Sequence, residues 1–154
     1  MEGEFLEVQE QLALLNPSQI SKIKEIESSG VNITIRRIVP DIQSDRLDES
    51  RTFYVELLGF EVAMDMGWIM TLVCSTNPTA QISILGSDAT APVVPQLTVE
   101  VADVDGVHGE AVQRSLEIVY PLSDESWGVR RFFVLDPNGV VLNAMSHPGR
   151  EDSA

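Results

Sequence analysis

Two segments of the chain have similar sequences at a constant offset. Residues 39–62, VPDIQSDRLDESRTFYVELLGFEV, match residues 96–119, QLTVEVADVDGVHGEAVQRSLEIV, about 57 residues further along. In each copy the hydrophobic pattern predicts a strand, then an amphipathic helix, then further strands. The sequence therefore predicts a chain built from two similar halves, with a site between them.

The order predicted for each half is βαβββ. In the first half, Phe53 and Leu57 mark one face of a helix that ends at Gly59. The strands and helix of this half are predicted over 33–44, 47–58, 60–65, 68–75 and 80–85. Those of the second half are predicted over 96–102, 104–114, 117–120, 128–135 and 140–146, and the sequence DPNG at 136–139 is typical of a tight turn.

These elements predict one domain over 33–147, with modules at 33–86 and 96–147 and a linker over 87–95 that contains two prolines. Residues 1–30 are predicted to form a helical extension. One helix is expected over 4–15, and a second is expected to have Asn16 as its cap and Pro17 in its first turn and to end near Gly30. The sequence leaves open whether these helices cover the domain or contact a partner subunit. A flexible polar tail is expected over 148–154.

Length and charge restrict the classes of function. A chain of 154 residues suits one domain with a real core. Its formal net charge of -14 repels phosphate backbones and anionic lipids, so we expect no nucleic-acid or membrane partner. A cationic ligand would be attracted. The single cysteine, Cys74, cannot form an internal disulfide, and no signal-peptide pattern is visible, so a cytoplasmic location is expected.

Two passages carry more specific motifs. Residues 50–62 read SRTFYVELLGFEV, and residues 127–147 read WGVRRFFVLDPNGVVLNAMSH. Both resemble passages of the vicinal oxygen chelate superfamily, which includes glyoxalase I, extradiol dioxygenases and bleomycin-resistance proteins. The resemblance implies an α+β fold, the glyoxalase/bleomycin resistance fold, in which two βαβββ modules curl a mixed sheet into a cup. It also implies a homodimer.

The resemblance further implies where the metalloenzymes of this family hold their metal. Their ligands come from the first and last strands of the modules and are typically two His and two acidic residues, which suit divalent metals. In this chain those positions fall on Val39, Ser83, Gln96 and Asn143. Valine cannot ligate a metal, and the other three side chains are weak neutral ligands.

A shift of the alignment by two residues keeps the same face of a strand. It brings in Asp41 or Glu100, which gives at most two carboxylates in the cup. The two histidines, His108 and His147, lie outside the expected ligand positions. We therefore predict no metal and no cofactor.

Strand alternation predicts which side chains line the cup. Pro40 and Ile42 are expected to face the helix. The candidate ligand-binding residues are Asp41, Gln43, Ser83, Gln96, Thr98, Glu100, Trp127 and Asn143. Each has a structural alternative: the carboxylates could pair with arginines, the amides could bond to backbone, and the tryptophan could pack in the core. No catalytic residue is predicted, because histidine is too scarce for a Ser-His-Asp or Cys-His arrangement.

Three functions remain open from the sequence. The first is a metal-free protein that binds a small cationic or aromatic molecule, similar to bleomycin-resistance proteins. The second is a metal-dependent lyase or dioxygenase similar to glyoxalase I, and the third is a structural or regulatory dimer module assembled through the N-terminal helices. An enzyme without a metal would need a general base, and a desolvated Glu100 is the candidate considered for it.

Overall fold

The structure is a computed structural model that describes residues 13–28 and 34–149, with the backbone alone over 25–28. The chain divides into two units, with the boundary between Asn32 and Ile33. No helix within the described ranges is long and apolar enough to cross a bilayer.

The N-terminal unit contains one described helix, α1, over Pro17–Ser28. Its first turn is closed by a reciprocal capping box. The side chain of Asn16 accepts a hydrogen bond from the backbone N–H of Gln19 over 2.9 Å, and the side chain of Gln19 accepts one from the backbone N–H of Asn16 over 2.8 Å. The predicted helix start is therefore confirmed. The helix predicted over 4–15 lies outside the described residues except for 13–15, which form a turn.

The second unit contains two βαβββ modules in one open sheet of eight strands. The first module consists of β1 (Ile35–Gln43), α2 (Leu47–Thr52), which continues as a π-helical segment (Phe53–Leu57), β2 (Glu61–Asp65), β3 (Ile69–Cys74) and β4 (Asn77–Leu85). The second module consists of β5 (Leu97–Val101), α3 (Val104–Gln113), β6 (Ile118–Asp124), β7 (Arg130–Leu135) and β8 (Val141–Ser146). The predicted α+β fold with a curled mixed sheet is confirmed.

The strand order is β2-β3-β4-β1-β5-β8-β7-β6. Within each module the first and last strands run parallel, and the other neighbours are antiparallel. The modules join edge to edge through the antiparallel pair β1–β5, in which Val39 lies opposite Thr98. Because this pair joins strands of one chain, the two modules form the cup without a second copy.

The two modules differ in how their helices cover the sheet. In the second module, α3 packs onto a buried cluster that includes Val101, Phe132 and Ala144. In the first, the helical segment packs onto Met70, Leu72 and Ile84 of β3 and β4. Pro40 and Ile42, which were expected to face the first helix, do not line the cavity, but the helix leaves them uncovered: Pro40 is exposed and Ile42 is 36% exposed, because the helix lies over β3 and β4 instead of β1.

Candidate functional site

The concave face of the sheet holds a cavity of about 90 Å³ where the two modules meet. Its apolar wall is formed by Met66, Trp68, Ile69, Leu85, Pro95, Trp127, Val129 and Met145. Its polar groups are Arg37, Asp41, Asp88, Thr98, Arg131 and Asn143. A concave, mostly apolar pocket with a few converging polar groups is typical of a small-molecule site.

The sheet register decides which side chains meet at the centre of the cup. Asp41 lies level with Ser83 in the pair β1–β4, and Thr98 lies level with Asn143 in the pair β5–β8. The first-strand positions beside Ser83 and Asn143 are therefore Asp41 and Thr98, two residues beyond Val39 and Gln96. Of these four level positions, Asp41, Thr98 and Asn143 line the cavity, so its centre holds one carboxylate, one hydroxyl and one amide.

A chain of hydrogen bonds links three of these side chains. Thr98 Oγ1 donates to Asp41 Oδ2 over 2.6 Å, and Asn143 Nδ2 donates to Thr98 Oγ1 over 3.1 Å. Thr98 and Asn143 are both buried, with 9% and 7% exposure. The hydroxyl of Thr98 can donate only one hydrogen, so its bond to Asp41 fixes the amide nitrogen of Asn143 toward Thr98.

Asp41 has no ion-pair partner among the described residues, and its carboxylate accepts one side-chain hydrogen bond. Burial in the cavity raises the pKa of Asp41 to about 7, and the bond from Thr98 and the charges of Arg131 and Arg37 offset only part of this effect. Because an uncompensated charge in a low-dielectric site is costly, the protonated form gains relative to water. Asp41 therefore titrates near neutral pH.

Glu100 behaves in the opposite way. It is 3% exposed, and its carboxylate binds Arg37 Nε at 2.9 Å and His147 Nδ1 at 2.6 Å. Burial alone would raise the pKa of Glu100, but the hydrogen bond from His147 and the charge of Arg37 outweigh it and hold this pKa below its ordinary value. The idea that Glu100 is a desolvated general base is not supported, because its two basic neighbours stabilise the ionised form.

Arg131 is buried at the side of the cup, where its guanidinium contacts two carboxylates and an aromatic ring. Its guanidinium forms two hydrogen bonds with Asp88, at 2.7 and 2.9 Å, and one with Glu125 at 3.0 Å. It also lies over the ring of Trp127, 5.1 Å from the centroid, where a cation–π attraction is expected. The ring of Trp68 meets Trp127 edge-on, with centroids 5.4 Å apart. This arrangement fixes the aromatic side of the cavity.

The structure brings together four of the eight predicted site residues. Asp41, Thr98, Trp127 and Asn143 line the cavity. The other four lie elsewhere, as follows: Gln43 is exposed, Ser83 bonds to Thr71 over 3.2 Å, Gln96 accepts from the backbone N–H of Val141 over 3.0 Å, and Glu100 forms the ion pairs described above. For Gln96 and Glu100, the geometry matches the structural alternative foreseen from the sequence.

Sequence reasoning missed several groups at the site. Arg37 and Arg131 were foreseen only as partners of carboxylates, and Asp88 was not considered, because it lies in the linker and outside any periodic pattern. His147 follows the last strand, and nothing in the sequence indicated that it reaches Glu100. His108 lies away from the cavity, with its ring half-buried against Phe132 and the centroids 4.9 Å apart.

The residues of the cup do not fit a divalent metal centre. Within the described ranges, no group of three or more His, Cys, Asp or Glu side chains is placed to hold a metal ion. Of the acidic groups near the cavity, Glu100 is occupied by Arg37 and His147 and Asp88 by Arg131, which leaves Asp41 as the carboxylate without an ion pair among the described residues. One carboxylate with neutral oxygens is a poor ligand set for zinc, iron or manganese.

Comparison with known proteins identifies relatives of this arrangement. The sequence profile of the Glyoxalase/Bleomycin resistance protein/Dioxygenase superfamily matches residues 31–143. No curated protein sequence matches the chain.

Three solved structures share the fold. A protein from Legionella pneumophila described as an NAD-dependent benzaldehyde dehydrogenase is 17% identical, with a TM-score of 0.59 over 71% of this chain and 98% of its own. A glyoxalase/bleomycin resistance protein/dioxygenase superfamily member from Vibrio splendidus is 19% identical, with a TM-score of 0.56 over 73% and 98%. A Streptomyces coelicolor methylmalonyl-CoA epimerase in complex with 2-nitronate-propionyl-CoA is 18% identical, with a TM-score of 0.55 over 79% and 99%. At such identities the likeness shows the fold alone.

Proposed function

Because this chain belongs to the Glyoxalase/Bleomycin resistance protein/Dioxygenase superfamily, we propose that its cup binds a small cationic or aromatic molecule without a metal centre. In this respect it would be similar to the metal-free, bleomycin-resistance-like members. One observation carries the proposal: within the described ranges, Asp41 is the carboxylate of the cavity that has no ion-pair partner, and the cavity is walled by aromatic and thioether side chains.

The chemistry of the wall supports this function. Trp68 and Trp127 offer large apolar surfaces with little conformational freedom, and Met66 and Met145 adapt to irregular shapes. The two guanidiniums that reach the cavity are already paired with carboxylates, so Asp41 dominates the charge that a ligand meets. A cavity of about 90 Å³ lies well below the roughly 300–1,000 Å³ of sites for drug-sized ligands, so it suits a very small molecule or one end of a larger one.

A second candidate function is metal-free acid–base catalysis, and the raised pKa of Asp41 favours it. A general base works best when its pKa lies near the working pH, and the pKa of Asp41 is raised to about 7 by burial. Asp41 would then take the role that the sequence suggested for Glu100. Deuterium exchange at an acidic C–H of a bound ligand, catalysed by the wild type and lost in Asp41→Asn, would support this candidate. Equal exchange in both proteins would exclude it.

The binding function is tested by ligand-observed NMR with a panel of small cationic, neutral and anionic aromatic compounds. Met66 lies in the cavity wall and is 37% exposed, so Met66→Trp should obstruct the cavity without disturbing the core. Met64 is 38% exposed and does not line the cavity, so Met64→Trp is the matched control. We expect saturable binding that Met66→Trp weakens and Met64→Trp leaves unchanged. If no compound binds, or both variants behave alike, the proposal is wrong.

Metal content is measured on the same protein, purified without chelator. We expect the content of zinc, nickel, manganese and iron to be well below one ion per chain. A stoichiometric metal that is lost when Asp41 and Asn143 are replaced would establish the alternative, a metal-dependent lyase or dioxygenase similar to glyoxalase.

A further inference from the structure

In the wall of the cavity lies a buried hydrogen-bond acceptor for which the described part of the chain supplies no donor. Asn143 lines the cavity and is 7% exposed, and no described residue donates to its Oδ1. Buried polar groups are nearly always paired, and one left without a partner costs about 1–3 kcal/mol. The orientation of this amide is fixed by the bond from its Nδ2 to Thr98, so the atom without a partner is the oxygen.

A second acceptor lies in the same hydrogen-bond chain. Asp41 receives one hydrogen bond, on Oδ2 from Thr98, and no described basic group forms an ion pair with it. The neighbouring carboxylates, in contrast, have basic partners: Asp88 and Glu125 both bind Arg131, and Glu100 pairs with Arg37. Among the described residues, Asp41 is thus the acidic group of the cavity whose charge is only partly compensated, by the charges of Arg131 and Arg37, which form no ion pair with it.

From these two acceptors we propose that the ligand of the cup is a small organic cation whose N–H groups donate to Asp41 and Asn143, as those of an amidinium or a protonated amino-heterocycle do. The inference rests on the proposed binding function and names its ligand class. An anionic ligand would form no favourable interaction with these two acceptors. A neutral ligand would leave the charge of Asp41 without a counter-ion.

The surroundings favour an organic cation over a metal ion. A hard cation such as Mg²⁺ needs about six oxygen ligands in strict geometry and is usually bound through carboxylates and water. Here the carbon-rich wall formed by Trp68, Trp127 and Met145 approaches the same space. Such a wall suits the planar, apolar part of an organic cation, because ring faces attract cations and stack on flat groups.

Benzamidine is a suitable probe, because it joins a planar amidinium to a small ring. Benzamide is its neutral counterpart and benzoate its anionic one. We expect calorimetric titration at pH 8 to give benzamidine an affinity about tenfold or more above those of benzamide and benzoate, a ratio that corresponds to about 1.4 kcal/mol. Equal or tighter binding of benzamide or benzoate would overturn the proposal.

The variant Asp41→Asn tests the residue itself, and Asp45→Asn is its matched control. Asp45 is exposed, and its replacement changes the net charge by the same amount. Benzamidine affinity should fall about tenfold or more in Asp41→Asn and stay unchanged in Asp45→Asn, since screened surface charges contribute little. Equal losses in the two variants would show nonspecific attraction to an acidic protein and would overturn the proposal.

Two further measurements, the pH dependence of benzamidine affinity and competition with Mg²⁺, complete the test. Benzamidine stays cationic between pH 6 and 8, so its affinity for the wild type should rise about tenfold over that range as Asp41, with a pKa of about 7, ionises. The affinity of Asp41→Asn should not change with pH. Stoichiometric uptake of Mg²⁺ that displaces benzamidine would instead assign the acceptors to a metal.

The outcomes also separate this inference from the proposed function. If neutral or anionic compounds bind as tightly as the cationic ones or more tightly, and Met66→Trp blocks them, the cup is a binding site but the cation proposal is wrong. If no compound of any charge binds, both proposals fail together.

Discussion

Thr98 donates its hydroxyl hydrogen to Asp41 over 2.6 Å, although the two residues are 57 positions apart. That separation equals the repeat offset, so the bond joins equivalent positions of the two modules. It crosses between β1 and β5, at the seam of the cup. The polar centre of the site therefore lies where the two repeated modules join. At these equivalent positions the second module supplies a hydrogen-bond donor, Thr98, and the first an acceptor, Asp41.

Removing this donor should raise the pKa of Asp41 further. The bond from Thr98 stabilises the ionised carboxylate, so in Thr98→Val the pKa of Asp41 is expected to move above about 7. Carbon-13 NMR titration of the carboxyl group measures it. Thr71 bonds to Ser83 and not to Asp41, so Thr71→Val should leave the titration unchanged. A lower or unaltered pKa in Thr98→Val would show that the bond does not stabilise the anion.

Replacement of Asp41 should make the unliganded protein more stable at high pH. Burial raises the pKa of Asp41 from 3.8 to about 7, so its contribution to stability is present below pH 4 and is lost as the pH rises through 7. Asparagine resembles the protonated form. Asp41→Asn should therefore increase the free energy of unfolding at pH 8 by about 2–4 kcal/mol and have little effect at pH 4. Urea denaturation at the two pH values measures the difference.

Asp45→Asn serves as the control for that experiment, because Asp45 is exposed. It should change the free energy of unfolding little at either pH. A destabilised Asp41→Asn at pH 8 would mean that the carboxylate forms a favourable interaction in the folded protein, contrary to the present account.

Glu100 should show the opposite dependence on pH. Its pKa is held below the ordinary 4.5 by His147 and Arg37, so its stabilising effect is present above pH 4.5 and is lost as the pH falls. Glu100→Gln should lower the free energy of unfolding by about 1–3 kcal/mol at pH 7, and the loss should shrink below pH 4. Glu110→Gln affects only a solvent-exposed helix pair with Arg114 and should cost about 0.5 kcal/mol or less. A Glu100→Gln protein as stable as the wild type at pH 7 would contradict the assignment.

Arg131 and its neighbour Arg130 make a matched pair for testing the buried ion cluster. The side chain of Arg131 is 4% exposed and binds Asp88 through two nitrogens, whereas Arg130 pairs with carboxylates that are 62% and 72% exposed. Lysine cannot reproduce the two-pronged contact. Arg131→Lys should lower the free energy of unfolding by about 2–4 kcal/mol, and Arg130→Lys by less than about 1 kcal/mol. Equal effects in chemical denaturation would show that the buried cluster does not stabilise the fold.

Much of the fold could be predicted from the sequence, because local signals and the repeat agree. The strand β8 was expected over 140–146 and is found at Val141–Ser146, and α3 was expected over 104–114 and is found at Val104–Gln113. Both have clear periodicity and boundary residues. The first helix was harder to predict. Its hydrophobic pattern does not indicate that its second half is π-helical or that the helix leaves β1 uncovered.

The candidate site was only partly predictable, for a physical reason. Strand alternation tells which side of a sheet a residue faces, so Asp41 and Thr98 could be placed toward the cup. It does not tell which charges neutralise one another across loops. Asp88 comes from the linker to hold Arg131, and His147 reaches back to Glu100 from beyond the last strand. These two contacts decide that Asp41, and not Glu100, is the free acid.

The most direct test of the central claim is a crystal structure of protein purified without chelator, with anomalous diffraction recorded at the zinc, iron and manganese edges. We expect no anomalous peak in the cup, and density beside Asp41 and Asn143 that is either water or an organic molecule packed against Trp68 and Trp127. An anomalous peak coordinated by Asp41, Ser83 or Asn143 would contradict this claim.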